Sequence, residues 1–200
     1  TAYRRQRQMC IRDSHLQVLE QWLHKLHGHE KLCAVGEFGL DYYLPELDRE
    51  RQQLLFEAQL ELAQRFELPV LLHVRHAHAQ VIATLKRFKL RRAGIIHAFA
   101  GSYEEAREYL KLGFKLGLGG AATWPQAKRL RQVLPRLPLD AVVLETDSPD
   151  MAPAMHPHIR NSPVHLPAIC RELATLFAVE PEVLATASSG NAAALFGWRN

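Results

Sequence analysis

The 200-residue sequence predicts an α/β fold of parallel strands covered by helices, and a closed (β/α) barrel in preference to an open doubly wound sheet. Three observations carry this. Short continuous apolar runs alternate with amphipathic helical patterns, which is how parallel strands buried on both faces read. Four residues with ligand-type or acid–base side chains, Glu37, His73, His97 and Asp147, stand where four different apolar runs stop, and barrel active sites are assembled from the ends of several strands. No glycine-rich dinucleotide fingerprint follows any run, which counts against the open sheet.

The elements follow in order. Residues 1–13 fit neither a strand nor a good amphipathic helix and are left unassigned. Ser14 is placed to cap a helix carrying Leu16, Leu19, Leu23 and Leu26. Leu32 to Val35 reads as a first buried strand ending at Gly36, followed closely by Glu37 and Asp41; Gly36 and Gly39 permit conformations or close approaches that a side chain forbids. Leu54, Leu55, Ala58, Leu62 and Phe66 mark a helix facing the sheet. The run Val70-Leu71-Leu72 stops at His73, a helix with Val81, Ile82, Leu85 and Phe88 follows, and Gly94-Ile95-Ile96 stops at His97. Ser102-Tyr-Glu-Glu105 has the form of a capping box opening a helix with Ala106, Tyr109 and Leu110 inward. A fourth strand spans Phe114 to Leu118, a helix carries Ala127, Leu130 and Val133, and a fifth strand, Ala141 to Leu144, leads into Glu145-Thr-Asp147. After a loop rich in Pro, Met and His, Pro163 suits the first turn of a helix with Leu166, Ile169, Cys170, Leu173 and Phe177. Two short helical patterns close the chain, around Val183-Leu184 and around Ala192 to Phe196.

The length favours one domain, residues 14–200, and 48% hydrophobic residues suffice for a sizeable core. The formal charge of +4 tilts the partner question toward anions. Basic clusters at Arg4-Arg5-Gln-Arg7, Lys86 to Arg92 and Lys128 to Arg131 read either as phosphate-binding edges or as solvated helix faces. Three scattered cysteines, Cys10, Cys33 and Cys170, argue against a disulfide framework and for a reducing compartment. With no apolar run of roughly 18 residues and no signal-peptide pattern, a cytoplasmic protein without a membrane span is expected.

Two imidazoles and two or three carboxylates on one rim form a ligand set for divalent ions, whereas either histidine alone would read as a hydrogen-bonded core residue. Such ligation leaves open positions for water, which is hydrolytic chemistry. Asp147 is the candidate to orient or deprotonate that water, Glu37 the candidate to bridge two ions, and Arg75 either a clamp for an anionic oxygen or an exposed strand-end arginine. His27-Gly-His29 imitates a metal pair but lies in a loop and reads as solvated.

Gly36-Glu-Phe-Gly-Leu-Asp-Tyr42, Pro69-Val-Leu-Leu-His73-Val-Arg75, His97-Ala-Phe-Ala-Gly101-Ser, Gly117-Leu-Gly-Gly120, Glu145-Thr-Asp147-Ser-Pro149, Asn161-Ser-Pro163 and the closing Asn191-Ala-Ala-Ala-Leu195-Phe196 resemble, in order and spacing, the TatD family of metal-dependent deoxyribonucleases. The resemblance implies an amidohydrolase-like (β/α)8 TIM barrel binding two divalent ions, Mg, Mn or Zn, and hydrolysing DNA, typically from 3′ ends. It implies that Glu37 is the shared ligand, that His73 and His97 complete one metal, that Asp147 serves the other, that Asp41 is a supporting acid and that Arg75 meets substrate phosphate.

The family opens with a strand ending in His-x-His and two further strands before the glutamate motif. This sequence shows five strands, and its own His-x-His pairs, at His27, His76 and His156, sit in other contexts. The expectation is therefore an incomplete barrel lacking the first three βα units, with two open strand edges, one ion retained near Glu37, His73 and His97, and impaired activity. Two other readings stay open: an amide or lactone hydrolase on the same barrel, and an inactive fragment that binds nucleic acid.

Overall fold

The structure, a computed structural model, describes residues 13–198. The unassigned segment expected over residues 1–13, Cys10 and the Arg4-Arg5-Gln-Arg7 cluster therefore lie outside the described residues, apart from Asp13, where the first helix begins. The chain resolves into two compact units, Thr1–Gly94 and Ile95–Asn200.

The first unit contains α1 (Asp13–Leu26), β1 (Val35–Asp41), α2 (Arg49–Arg65), β2 (Val70–Arg75) and α3 (His78–Phe88). Helix α1 already includes Asp13, so Ser14 lies inside it rather than capping it; of its leucine stripe, Leu23 is the fully buried member. Strands β1 and β2 pair in parallel, with Val35 opposite Val70, Gly39 opposite His73 and Asp41 opposite Arg75.

The first strand begins where the apolar run was expected to end. Backbone pairing does not require apolar side chains, and at the two glycines it requires their absence. A Cβ at Gly39 would lie 1.9 Å from the His73 carbonyl oxygen, and one at Gly36 would lie 2.6 Å from Leu71 Cβ. Between Gly36 and Phe38 the register shifts by one residue, leaving Glu37 as the extra residue of a bulge. A bulge re-aims a side chain, so Val35 and Phe38, three residues apart, are both buried while Glu37 stays exposed to solvent.

Asp48 caps α2, accepting from the Arg51 N–H at 2.9 Å. The helix buries Leu55, Phe56, Gln59, Leu60, Leu62 and Ala63; Leu54, expected inward, is 65% exposed. Each fully buried large side chain, such as Phe56, Leu60 or Leu72, stabilises the unit by about 1.5–3 kcal/mol before entropy is counted.

The second unit contains the end of β3 (Gly94–His97), α4 (Tyr103–Lys111), β4 (Lys115–Leu118), α5 (Lys128–Val133), β5 (Val142–Leu144), α6 (Leu166–Phe177) and α7 (Pro181–Phe196). Strands β3 and β4 pair in parallel, as do β4 and β5. The capping box forms as expected: Glu105 N–H donates to Ser102 Oγ at 3.2 Å and Ser102 N–H to Glu105 Oε2 at 2.6 Å. A short 3₁₀ turn from Pro163 to His165 leads into α6, whose buried face is Ile169, Cys170, Leu173 and Ala174.

The two closing helical patterns are one helix, α7. Gly190 interrupts the apolar pattern, but it sits in open space and does not break the helix. Helix α7 packs on β5 through polar side chains as well as apolar ones. Leu144 N–H donates to Ser188 Oγ at 2.8 Å, and Asn191 Nδ2 donates to the carbonyls of Val142 at 2.7 Å and Leu139 at 2.8 Å. Edge groups expected to be open on β5 are thus taken by side chains.

Two of the basic clusters are engaged structurally. Arg87 pairs with Glu57 at 2.5 Å, Arg91 pairs with Glu67, and Arg131 donates to Glu172 at 2.9 Å and to the Ala122 carbonyl at 3.1 Å. Among the described residues no helix is long and apolar enough to cross a membrane.

Candidate functional site

Each unit builds one histidine held between two carboxylates. In the first unit the strand pairing sets this arrangement, because Gly39 opposite His73 brings Glu37 and Asp41 to either side of the imidazole. His73 Nδ1 lies 3.1 Å from Glu37 Oε1, and its Nε2 lies 3.4 Å from Asp41 Oδ2. Neither Glu37 nor His73 stands at a strand end as expected; both lie within their strands, and Asp41 and Arg75 are the terminal residues.

Asp41 is 7% exposed and is fixed at several points. Its Oδ1 accepts from the Tyr43 N–H at 3.0 Å. Its backbone N–H donates to Gln52 Oε1 at 2.8 Å, and Gln52 Nε2 donates back to the Asp41 carbonyl at 3.0 Å. Burial alone would raise the Asp41 carboxyl, but the bond to His73, the Tyr43 N–H and the positive charges of His73 and Arg75 hold it below the usual aspartate value. Burial likewise pushes the His73 imidazole down, and its bonds and charge contacts with Asp41 and Glu37 outweigh that, so its pKa is raised.

Arg75 does not project alone. Its guanidinium lies over the Tyr43 ring, 3.6 Å from the centroid, and His76 meets the same ring edge-on at 5.4 Å.

In the second unit His97 closes β3. Its Nδ1 lies 2.8 Å from Glu145 Oε2 and its Nε2 3.2 Å from Asp147 Oδ1. The other Glu145 oxygen accepts from the Ala98 N–H at 2.6 Å. The carboxylate lies directly over Gly117, where a Cβ would come within 2.5 Å of Glu145 Oε2. Gly120 is needed for a different neighbour, since a Cβ there would lie 2.1 Å from the Met151 carbonyl. The glycine motif is therefore the floor under the glutamate and the following loop.

Asp147 stands three residues beyond β5 with φ 59°, a left-handed conformation that costs a non-glycine residue on the order of 1–3 kcal/mol and clusters at functional sites. Its side chain is 5% exposed. The loop that follows is organised by Asn161, 3% exposed, whose Nδ2 donates to the carbonyls of Thr146, Asp150 and Met151 at 2.5, 2.7 and 3.3 Å. His156, in that loop, stacks on His165 at 4.2 Å.

Among the described residues, no three His, Cys, Asp or Glu side chains are grouped so as to hold an ion as they stand. The donor types nevertheless suit one. If His97 Nδ1–H donates to the Glu145 carboxylate, the Nε2 lone pair faces an Asp147 oxygen at 3.2 Å, a contact that a cation between them makes favourable. Glu37 and His73 form a contact of the same kind.

The sequence reading missed Glu145, Gln52 and Asn161 as residues of the site. The glutamate stood in the Glu145-Thr-Asp147 motif and the asparagine opened Asn161-Ser-Pro163, so both were visible there; Gln52 is an unremarkable polar residue on a helix, and no local signal marks it.

The parallel strands and their covering helices define a chain of the TIM-barrel fold type, with one histidine–carboxylate cluster in each unit. The family described as "TatD related DNase" matches residues 9–197, and the chain belongs to it. It is 45% identical over 139 residues to the uncharacterized metal-dependent hydrolase YjjV of Escherichia coli (strain K12), covering 70% of this chain and 53% of that protein. It is 38% identical over 183 residues to the 3′-5′ ssDNA/RNA exonuclease TatD of Pantoea vagans (strain C9-1), covering 87% of this chain and 69% of that one. The crystal structure of YJJV, a TatD homolog from Escherichia coli K12, superposes with a TM-score of 0.89 at 38% identity, covering 94% of this chain and 71% of that chain. The chain thus spans between 53% and 71% of the length of these relatives.

Proposed function

We propose that the chain carries the hydrolytic site of a metal-dependent phosphodiesterase acting on single-stranded DNA from the 3′ end. The observation that carries this is the double histidine–carboxylate arrangement: His73 between Glu37 and Asp41, and His97 between Glu145 and Asp147. A relative named as a 3′-5′ ssDNA/RNA exonuclease supports the substrate class.

Glu37 and His73 in the first unit, and His97 and Asp147 in the second, supply the ligands for Mg, Mn or Zn. When bound, a divalent ion supplies charge neutralisation at phosphate and a water acidic enough to attack near neutral pH. Asp147 would orient an attacking water and accept its proton at a carboxylate oxygen. Asp41 holds the His73 ring, and Arg75 meets a substrate phosphate through its planar guanidinium. Cys33 and Cys170 are both free, which fits a reducing, cytoplasmic setting.

The test is cleavage of 3′-labelled single-stranded DNA with each ion, with a lactone and a dihydropyrimidine as competing substrates. Glu37→Gln and Asp147→Asn are expected to lower the DNA rate by about 10²–10⁴-fold, and chelation to abolish it. Turnover of the lactone or dihydropyrimidine alone would replace the phosphodiester by an amide or ester bond. DNA binding that weakens steeply with salt, with no metal-dependent cleavage and no effect of Glu37→Gln, would make the chain a binding module instead.

A further inference from the structure

The geometry points to Glu145 as a positioning residue that sets the tautomer of His97, keeping the proton on Nδ1 and the lone pair on Nε2. The inference rests on the proposal that His97 is a metal ligand, and it concerns a residue to which that proposal gives no role.

The argument begins with what a carboxylate can do: when ionised it accepts and does not donate. Glu145 uses one oxygen to accept from the Ala98 N–H at 2.6 Å, a backbone donor that cannot turn round. The other oxygen, 2.8 Å from His97 Nδ1, forms a hydrogen bond only if that nitrogen carries the proton. A neutral imidazole protonated on Nδ1 presents its lone pair at Nε2, the nitrogen 3.2 Å from Asp147 Oδ1; Asp147 competes as an acceptor for an Nε2–H, but its contact is longer than the 2.8 Å to Glu145, whose carboxylate the Ala98 N–H also anchors, so Nδ1 keeps the proton even without an ion. A carboxylate behind a ligating histidine fixes ring and tautomer together, and its loss typically lowers metal affinity roughly 10–100-fold.

Two further features hold the glutamate to this task. Gly117 leaves room under the carboxylate, which any side chain at that position would displace. Ala98 has φ 46°, a left-handed conformation, in the residue whose N–H is donated to Glu145.

Glu145→Gln is the discriminating substitution. Its amide has a single acceptor, and the Ala98 N–H claims it, so the NH₂ group faces His97 Nδ1 and donates to it. The imidazole is then forced into the Nε2–H form, which cannot ligate through that nitrogen. Gly117→Ala is the second variant: it keeps the glutamate and displaces its carboxylate, so the tautomer becomes mixed.

Long-range ¹H–¹⁵N correlation spectra of the metal-free chain, recorded where the imidazole is neutral, distinguish the two tautomers directly. Titration with Mn²⁺ alone gives the affinity. The expected result is Nδ1–H in the parent chain, Nε2–H in Glu145→Gln, and Mn²⁺ affinity reduced roughly 10–100-fold. An Nε2–H His97 in the parent chain, or a tautomer that neither variant changes, overturns the assignment. Inversion of the tautomer with unchanged Mn²⁺ affinity upholds the role of Glu145 and instead removes His97 from the ligand set. If Glu145→Gln does not fold, the parent spectrum and Gly117→Ala decide the question.

Discussion

Gln52 and Asp41 are joined by a two-way hydrogen bond in which one side-chain amide serves both backbone groups of the other residue: Asp41 N–H donates to Gln52 Oε1 at 2.8 Å, and Gln52 Nε2 donates to the Asp41 carbonyl at 3.0 Å. The amide does for the end of β1 what a neighbouring strand would do. It also couples helix α2 to the site, since Asp41 in turn holds His73.

Gln52→Ala is therefore expected to cost about 1–3 kcal/mol, the penalty of leaving part-buried backbone groups without partners. Gln52→Glu restores only the acceptor and should recover part of that loss. Denaturant midpoints of the three proteins check both statements, and a Gln52→Ala midpoint equal to the parent's would show that water replaces the amide at no cost.

Gly39 and Gly190 are predicted to respond to alanine with opposite signs. At Gly39 the new Cβ would meet the His73 backbone at 1.9 Å, so β1 and β2 cannot keep their spacing, and Gly39→Ala should unfold the first unit or cost on the order of 3 kcal/mol or more. At Gly190, exposed in the interior of α7, the Cβ meets nothing within 4 Å, and Gly190→Ala should stabilise by about 0.5–1 kcal/mol. Thermal melts of the two single variants suffice, and a neutral Gly39→Ala would contradict the close approach of the strands.

The pH dependence of the metal-free chain follows from the His73–Asp41 contact. The raised pKa of His73 contributes stability that is fully present below its unfolded value, 6.5, and is lost as the pH rises through the folded value. The lowered pKa of Asp41 contributes stability that is present above its unfolded value, 3.8, and is lost as the pH falls through the folded value. The contribution of this pair is thus greatest between those two unfolded values and declines on either side. Added divalent ion should stabilise more strongly as pH rises, because a ligating imidazole must be neutral. Melting temperature against pH, with and without ion, measures both slopes; a metal-free chain whose stability rises steadily from pH 6 to 8 would speak against the contact.

Much of the site was legible because ligand chemistry depends on residue type. Glu37, His73, His97 and Asp147 stand out from identity and order alone, and the structure sets both imidazoles against carboxylates; the capping box Ser102–Glu105 is readable from its spacing. Strand β1 was misplaced for a physical reason: the apolar run Leu32 to Val35 reports burial, whereas strand extent is set by backbone pairing, which continues through Gly36, Glu37 and Gly39. Leu54 faces solvent because the buried face of the helix runs through Leu55, Phe56 and Gln59, and residue type alone does not separate Leu54 from Leu55.

What the sequence by itself determined is the alternation of strands and helices, the family and the histidine and carboxylate side chains of the candidate site, since these follow from local periodicity and from motifs of a few residues. What only the tertiary structure decided is which carboxylate engages which face of each imidazole, and which side chains take the outer backbone groups of Asp41, Val142 and Leu144. Those contacts join residues from 11 to 50 positions apart. Hydrogen bonds over such separations depend on strand register and helix packing, which no short stretch of sequence encodes.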